Sequence, residues 1–304
     1  MSGFARWLQQ NRLPRVAVLV VSFLLPLTNV ISAALLVMTA RAAGARAAGI
    51  DVAAGLALLA LLLAWAGGGA ASSAPIPALF GASVLWGGAV AAGLILRRFA
   101  SVDLAVQALV VLVLLGVVAA CVVIPDSRAH WQPVLQELFK AAGLPQVDGL
   151  PPGWLGTLAS LMHGVIGASV LSTLLIALML GLWFDPSAPG GAADGPGWRR
   201  LFLELRLGRV LSLVAAVAVI LLALGLASLG GGLLMVLGTA FAAQGLAVLH
   251  WTAQERQWPR IWPLVIYAPL VLGAPSAGLT LLALAVAGLV DNGIGLRRPR
   301  TNVV

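Results

Sequence analysis

From Val210 to Leu249 the chain runs for forty residues without a charged side chain. About 20 apolar residues cross a hydrocarbon layer about 30 Å thick, so this run is twice a span. Gly230-Gly231-Gly232 stands at its midpoint, and the stretch reads as a helical hairpin turning there. A second uncharged run, residues 261–290, carries Pro263, Pro269 and Pro275. As one helix it would reach about 45 Å at 1.5 Å per residue, too long for one crossing; as two, each is short. With 61% hydrophobic and 9% charged residues and a mean hydropathy of +1.04, the chain lacks the polar groups to cover its own surface. Ordinary soluble domains carry roughly 25% charged residues. Most of this chain is therefore solvated by lipid.

The other apolar runs are residues 16–40, 52–66, 76–96, 104–124 and 154–184. The first follows a basic start, Arg6, Arg12 and Arg15, as a secretory signal does. Its roughly 25 residues exceed the usual signal-peptide core, so it reads as an uncleaved membrane segment. Pro26, beside Thr28 and Asn29, predicts a kink or a re-entrant turn, because proline removes a helix hydrogen bond.

Charge orients the spans. Loops 41–51, 97–103, 185–209 and 250–260 and the tail from Asp291 hold thirteen of the eighteen basic residues. Loop 125–153 has only Arg128 and Lys140, against Asp126, Glu137 and Asp148. The positive-inside rule puts the five basic segments, C-terminus included, in the cytoplasm and loop 125–153 outside. Residues 261–290 must then cross twice, turning near Gly273-Ala274-Pro275. One pass of the first segment would separate its basic N-terminus from Arg41, whereas a hairpin at residues 26–29 keeps both inside. The expectation is an all-α multispanning bundle in a bacterial inner membrane. It forms one membrane domain over residues 1–304, with about eight crossings plus a kinked or re-entrant first element.

Two loops carry amphipathic stretches. In the outer one, Val134, Leu135, Leu138 and Phe139 share a helical face opposite Gln136, Glu137 and Lys140, with Trp131 ahead. In the inner one, a Gly/Pro-rich stretch, residues 186–197, precedes Trp198-Arg199-Arg200-Leu201-Phe202-Leu203-Glu204-Leu205-Arg206. Both suit helices lying in the membrane interface.

The +8 net charge does not point to nucleic acid, since the arginines are scattered beside apolar runs rather than clustered on one face. No phosphate-binding loop, His-Glu-x-x-His, paired-cysteine motif or nucleophile elbow occurs. Clustered acids, bases and metal ligands are missing, which argues against an enzyme, a cofactor or a metal site. No charged side chain stands deep in an apolar run, unlike ion-coupled transporters.

His163 is the ionisable side chain well inside a span, and Gln244 the amide in mid-helix. An amide in hydrocarbon has to be bonded, so Gln244 faces protein or a cavity. Each residue is a candidate ligand contact or an interhelical hydrogen bond. Cys121, the sole cysteine, forms no internal disulfide and reads as core packing. His250, Trp251, Trp262 and Tyr267 fit an aromatic belt. Asp291 could pair with Arg297 or Arg298, and with His250 these form the candidate docking residues for a partner.

The segment Gln244-Gly245-Leu246-Ala247-Val248-Leu249-His250 is followed by a tyrosine-containing, proline-broken apolar stretch, then by Gly288-Leu289-Val290-Asp291 and an Arg-rich end. This order resembles the YybS-like family of uncharacterised bacterial membrane proteins. Residues 202–207, Leu25-Pro26-Leu27 and the stretch from Asp126 to Trp131 fit the same pattern. That family is distantly similar to the substrate-binding subunits of energy-coupling factor vitamin transporters, which dock a coupling subunit through an Ala-x-x-x-Ala contact on the first helix. Ala43 and Ala47 have that spacing but lie in a loop. The resemblance implies a non-enzymatic binding or transport-associated subunit, with other membrane subunits or an ATPase-coupled module as partners. In that reading His163 and Gln244 line one ligand cavity. The alternative is a scaffold that docks partners through its basic cytoplasmic loops and tail.

Overall fold

A backbone in hydrocarbon has no water to bond to, so uncharged runs close their hydrogen bonds internally and become helices. The computed structural model describes residues 7–25, 27–66, 75–143, 153–185, 197–259 and 261–297. Among these, a helical turn at 7–10 precedes twelve helices, and there is no strand. They are α1 (Arg12–Leu24), α2 (Asn29–Ala43), α3 (Ala45–Ala66), α4 (Pro75–Phe99), α5 (Val102–Val123) and α6 (Ser127–Ala141), followed by α7 (Trp154–Phe184), α8 (Gly197–Leu203), α9 (Gly208–Ala223), α10 (Ala227–Glu255), α11 (Trp262–Val271) and α12 (Ala274–Ile294). Six helices, α3, α4, α5, α7, α10 and most of α12, are long and apolar enough to cross a bilayer. This is the architecture of a multi-pass membrane protein. Helices α2, α9 and α11 are apolar but shorter.

The chain divides into two compact units, residues 1–109 with 172–205, and residues 110–171 with 206–304. The first is built around α2, in which every residue from Ser32 to Ala40 is buried. A helix hydrophobic all round is a core helix, and α1, α3 and α4 all pack on this one. The approach is close because small residues face it. A Cβ on Gly93 of α4 would stand 2.5 Å from the Val37 carbonyl oxygen, and one on Gly181 of α7 would stand 3.0 Å from that of Ala34. Trp86 fills the centre, fully buried, donating from Nε1 to Ser32 Oγ at 3.1 Å and meeting Phe23 edge-on at 5.3 Å.

The first apolar segment is two helices of 13 and 15 residues that pack on each other, broken where Leu27 takes a φ of 66°. Thr28 Oγ1 donates to Ser22 and Leu25 carbonyls and helps hold the turn. Pro26, where a kink was expected, and loop 67–74 lie outside the described residues. The arginine-rich ends of the helices in this unit gather together. Arg15 and Arg12 bind Asp51 near the start of α3, Arg41 near the end of α2 binds Asp185, and Arg97 donates to the carbonyls of Arg41 and Ala42. The first residues of α1 and the last of α2 therefore lie at the same end of the unit.

The second unit is built around α10, against which α9 and α12 pack. The hairpin from 208 to 255 turns at Leu224 and Gly225, where φ is 83°, and not at Gly230-Gly231-Gly232 as the sequence suggested. Those three glycines lie inside α10, where their missing side chains serve contact instead of turning. A Cβ on Gly230 would stand 2.5 Å from the Leu222 nitrogen and 2.9 Å from the Ala218 oxygen, both in α9. At Gly164 of α7 it would stand 2.5 Å from the Gly232 Cα. Helices α10 and α12 meet through Gly245 and Gly288, whose Cβ atoms would fall 1.9 Å and 2.1 Å from the carbonyl oxygens of Leu284 and Phe241. Such small-residue contacts are how helices associate without a hydrophobic drive between them. Residues 261–290 break at Gly273, with φ 137°, where the sequence placed the turn.

Candidate functional site

His163, Gln244, His250, Asp291 and Arg297 all belong to the second unit. Its helix α6 starts on Asp126, whose Oδ1 accepts the Ala129 N–H at 2.9 Å, a side-chain cap of the helix N-terminus. Ser127, buried, donates to the Ala159 carbonyl at 2.8 Å and so pins α6 to α7. Phe139 meets Trp154 edge-on at 5.3 Å. Of the predicted interfacial face, Leu135 is buried, while Val134 and Leu138 are exposed.

This anchoring sets Trp131 beside His163, ring centroids 6.4 Å apart and nearly perpendicular, with His130 edge-on to Trp131 at 5.0 Å. His163 is 4% exposed. Its Nδ1 lies 3.6 Å from Cys121 Sγ on α5, and that sulfur is 4.0 Å from Ser228 Oγ at the start of α10. The close passage of α7 over α10 at Gly164 and Gly232 is what brings these elements together. His163 Nε2 and Trp131 Nε1 are both buried and have no hydrogen-bonding partner. An unmet buried polar atom costs about 1–3 kcal/mol, and such groups in native proteins call for an explanation.

Gln244 sits in a different cluster, sixteen residues further along α10 from Ser228, about 24 Å at 1.5 Å per residue. It is fully buried, and its amide is completely engaged within the protein. Oε1 accepts from the Leu207 N–H at 3.0 Å, and Nε2 donates to Asp291 Oδ2 at 2.9 Å and to Asn292 Oδ1 at 3.0 Å. Asn292 Nδ2 continues the network to the Gly208 carbonyl and Ser212 Oγ. Gly295, left-handed at φ 68°, ends α12 and turns the chain so that Arg297 Nη2 donates to Asp291 Oδ2 at 2.6 Å. Asp291 and Arg297 are 3% and 6% exposed. Asp291 and Arg297, paired in the sequence reading, and Gln244, assigned there to a ligand, are thus one internal network. His163 and Gln244, expected to line a common cavity, are not brought together.

His250 bonds through Nε2 to the Tyr267 hydroxyl at 2.9 Å and meets Trp262 edge-on at 4.7 Å. Trp258 joins the cluster at 5.9 Å from Trp262. Arg298 lies outside the described residues. Among the described residues, no three His, Cys, Asp or Glu side chains are grouped to hold a metal ion.

In the sequence Cys121 reads as packing and Trp131 as an anchor; the structure seats both against His163. Only the fold joins these positions, since Cys121 and Ser228 are 107 residues apart. No family model, no curated protein and no solved structure matches the chain.

Proposed function

We propose that this chain is a non-enzymatic binding subunit of a bacterial inner membrane, transport-associated and akin to the YybS-like proteins. The observation that carries this reading is the pair of buried polar atoms without partners, His163 Nε2 and Trp131 Nε1, on adjoining rings beside Cys121. A ligand carrying a hydrogen-bonding group would satisfy both. Gln244 drops out of the ligand contacts, because its amide is saturated by Leu207, Asp291 and Asn292.

In the proposed topology α3, α4, α5, α7, α9, α10, α11 and α12 make eight crossings, and α1 with α2 is a re-entrant hairpin. One observation supports the hairpin: Arg15 and Arg41 lie at one end of their unit. The arginine-rich loops and the C-terminus are then cytoplasmic, and α6 is external. The test is a gentle-detergent pull-down of the natively expressed, tagged protein, read by mass spectrometry. Recovery of an ATPase and a membrane coupling subunit is the expected result.

A scaffold function is the second reading. It is favoured by the exposed arginines of the basic loops, Arg46, Arg98, Arg209 and Arg256. Recovery of cell-envelope assembly proteins with no ATPase would select it.

A further inference from the structure

The hydrogen bonds already made at the outer-loop site define what its unmet atoms can accept. Cys121 Sγ lies 3.6 Å from His163 Nδ1. A thiol is a weak acceptor, while an unprotonated imidazole nitrogen is a good one. With the proton on sulfur the thiol donates to Nδ1, and Ser228 Oγ lies 4.0 Å from the same sulfur. A neutral ring that accepts at Nδ1 carries its own proton on Nε2. A doubly protonated ring also donates from Nε2, so ring charge does not alter the result. Indole Nε1 is a donor only. Both atoms without partners are then N–H donors, and an ammonium group would meet them donor to donor.

A cation of matching sign stands along the helix that carries His163. Arg128, one turn before Trp131 on α6, packs over Gly156, where a Cβ would come within 2.5 Å of its guanidinium. Gly156 stands two turns before His163 on the same face of α7, so the cation lies about 10 Å along that helix. Beside Cys121, Val122 and Val123 are 73% and 78% exposed, which makes the surroundings apolar.

Resting on the binding reading above, we propose that the site takes an amphiphile through an oxygen acceptor, a carboxylate, phosphate or ester oxygen, received by His163 Nε2–H and Trp131 Nε1–H. A free fatty acid and a phospholipid headgroup share this chemistry.

Cys121 is the only cysteine in the chain and reports on the site directly. The rate of its alkylation by N-ethylmaleimide is measured on the full-length protein in detergent with decanoate, decylamine or decanol. Decanoate is expected to slow labelling about tenfold at about ten times its Kd, by mass action, and decylamine to leave it unchanged. Trp131→Phe and His163→Phe each remove a donor and should abolish the decanoate effect, each variant being compared with itself without ligand. Trp131→Phe keeps the test open if His163→Phe fails to fold.

In phosphatidylglycerol nanodiscs, slow labelling that decanoate does not change and that Trp131→Phe accelerates would identify the lipid itself as the occupant. Protection by decylamine equal to that by decanoate would overturn the oxygen-acceptor assignment and leave the binding reading standing. No protection by any of the three, in detergent and with fast labelling in nanodiscs, would overturn both.

Discussion

Arg15 holds Asp51 by two hydrogen bonds, Nε to Oδ2 at 2.6 Å and Nη2 to Oδ1 at 3.1 Å, with both side chains buried. Its Nη1 also donates to the Leu8 and Gln9 carbonyls, at 3.2 Å and 2.8 Å, so one guanidinium ties the start of α1 to the start of α3 and to the residues ahead of it. Arg12 adds a second, longer contact to Asp51 at 3.4 Å from a half-exposed position. A charge in so dry a place is tolerable only when paired.

Removing one partner should therefore cost more than removing both. Asp51→Asn leaves Arg15 buried without its carboxylate, a loss of about 3–5 kcal/mol for a broken buried pair. Arg15→Met should cost less than Asp51→Asn, because Asp51 keeps Arg12. The double variant Arg15→Met/Asp51→Met should recover much of the loss. Thermal unfolding midpoints in one detergent rank the three proteins. A double variant less stable than Asp51→Asn would show that the pair is not the cause.

The Gln244 network makes a prediction of opposite electrostatic sense. Gln244→Leu strands the Leu207 N–H and loosens Asp291 and Asn292, and one such buried group costs about 1–3 kcal/mol. Gln244→Glu is nearly the same size but sets a second carboxylate beside Asp291, with only the neighbouring arginines to balance it. It should lower the unfolding midpoint further than Gln244→Leu, and the gap should narrow as pH falls and the added carboxylate is neutralised. A midpoint for Gln244→Glu equal to that of the wild type at neutral pH would contradict the bonded geometry.

Glycine contact separates positions that look alike in sequence. Gly238 and Gly245 both lie inside α10, yet a Cβ on Gly238 meets nothing within 4 Å, while one on Gly245 falls 1.9 Å from the Leu284 carbonyl oxygen. Gly238→Ala should be neutral or stabilising by up to about 1 kcal/mol, the helix-propensity gain. Gly245→Ala must force α10 and α12 apart and should sharply reduce the yield of folded protein. Size-exclusion profiles of the two variants decide the matter.

These contrasts mark what the sequence carried. Helix existence was legible because uncharged runs of these lengths have few other structures open to them, and the break at Gly273 was legible because glycine and proline cluster there. The hairpin turn was misplaced onto Gly230-Gly231-Gly232, since a glycine that turns a chain and a glycine that admits a neighbouring helix read identically. Gln244 was recognised as needing a partner, but three donors and acceptors at positions 207, 291 and 292 were joined to it only by tertiary packing. The His163 site stayed hidden for the same reason. Its other members come from α5, α6 and α10, and none has a local pattern that tells a ligand contact from packing.

The sidedness of the first segment can be tested by chemistry at single positions. In a Cys121→Ser background, a cysteine replacing exposed Leu13, near the start of α1, and one replacing exposed Arg98 should both resist a membrane-impermeant maleimide in intact spheroplasts and react after permeabilisation. A cysteine replacing exposed Arg128, near the start of α6, should react without permeabilisation. Arg12 and Arg15 bind Asp51 at one end of the unit, where Arg41 binds Asp185 and Arg97 caps the end of α2. If α1 and α2 instead formed one crossing, Leu13 and Arg98 would label from opposite sides. Labelling of Leu13→Cys in intact spheroplasts, with Arg98→Cys protected, would remove the re-entrant hairpin and make the ion pairs at Asp51 and Asp185 incompatible with a single membrane level.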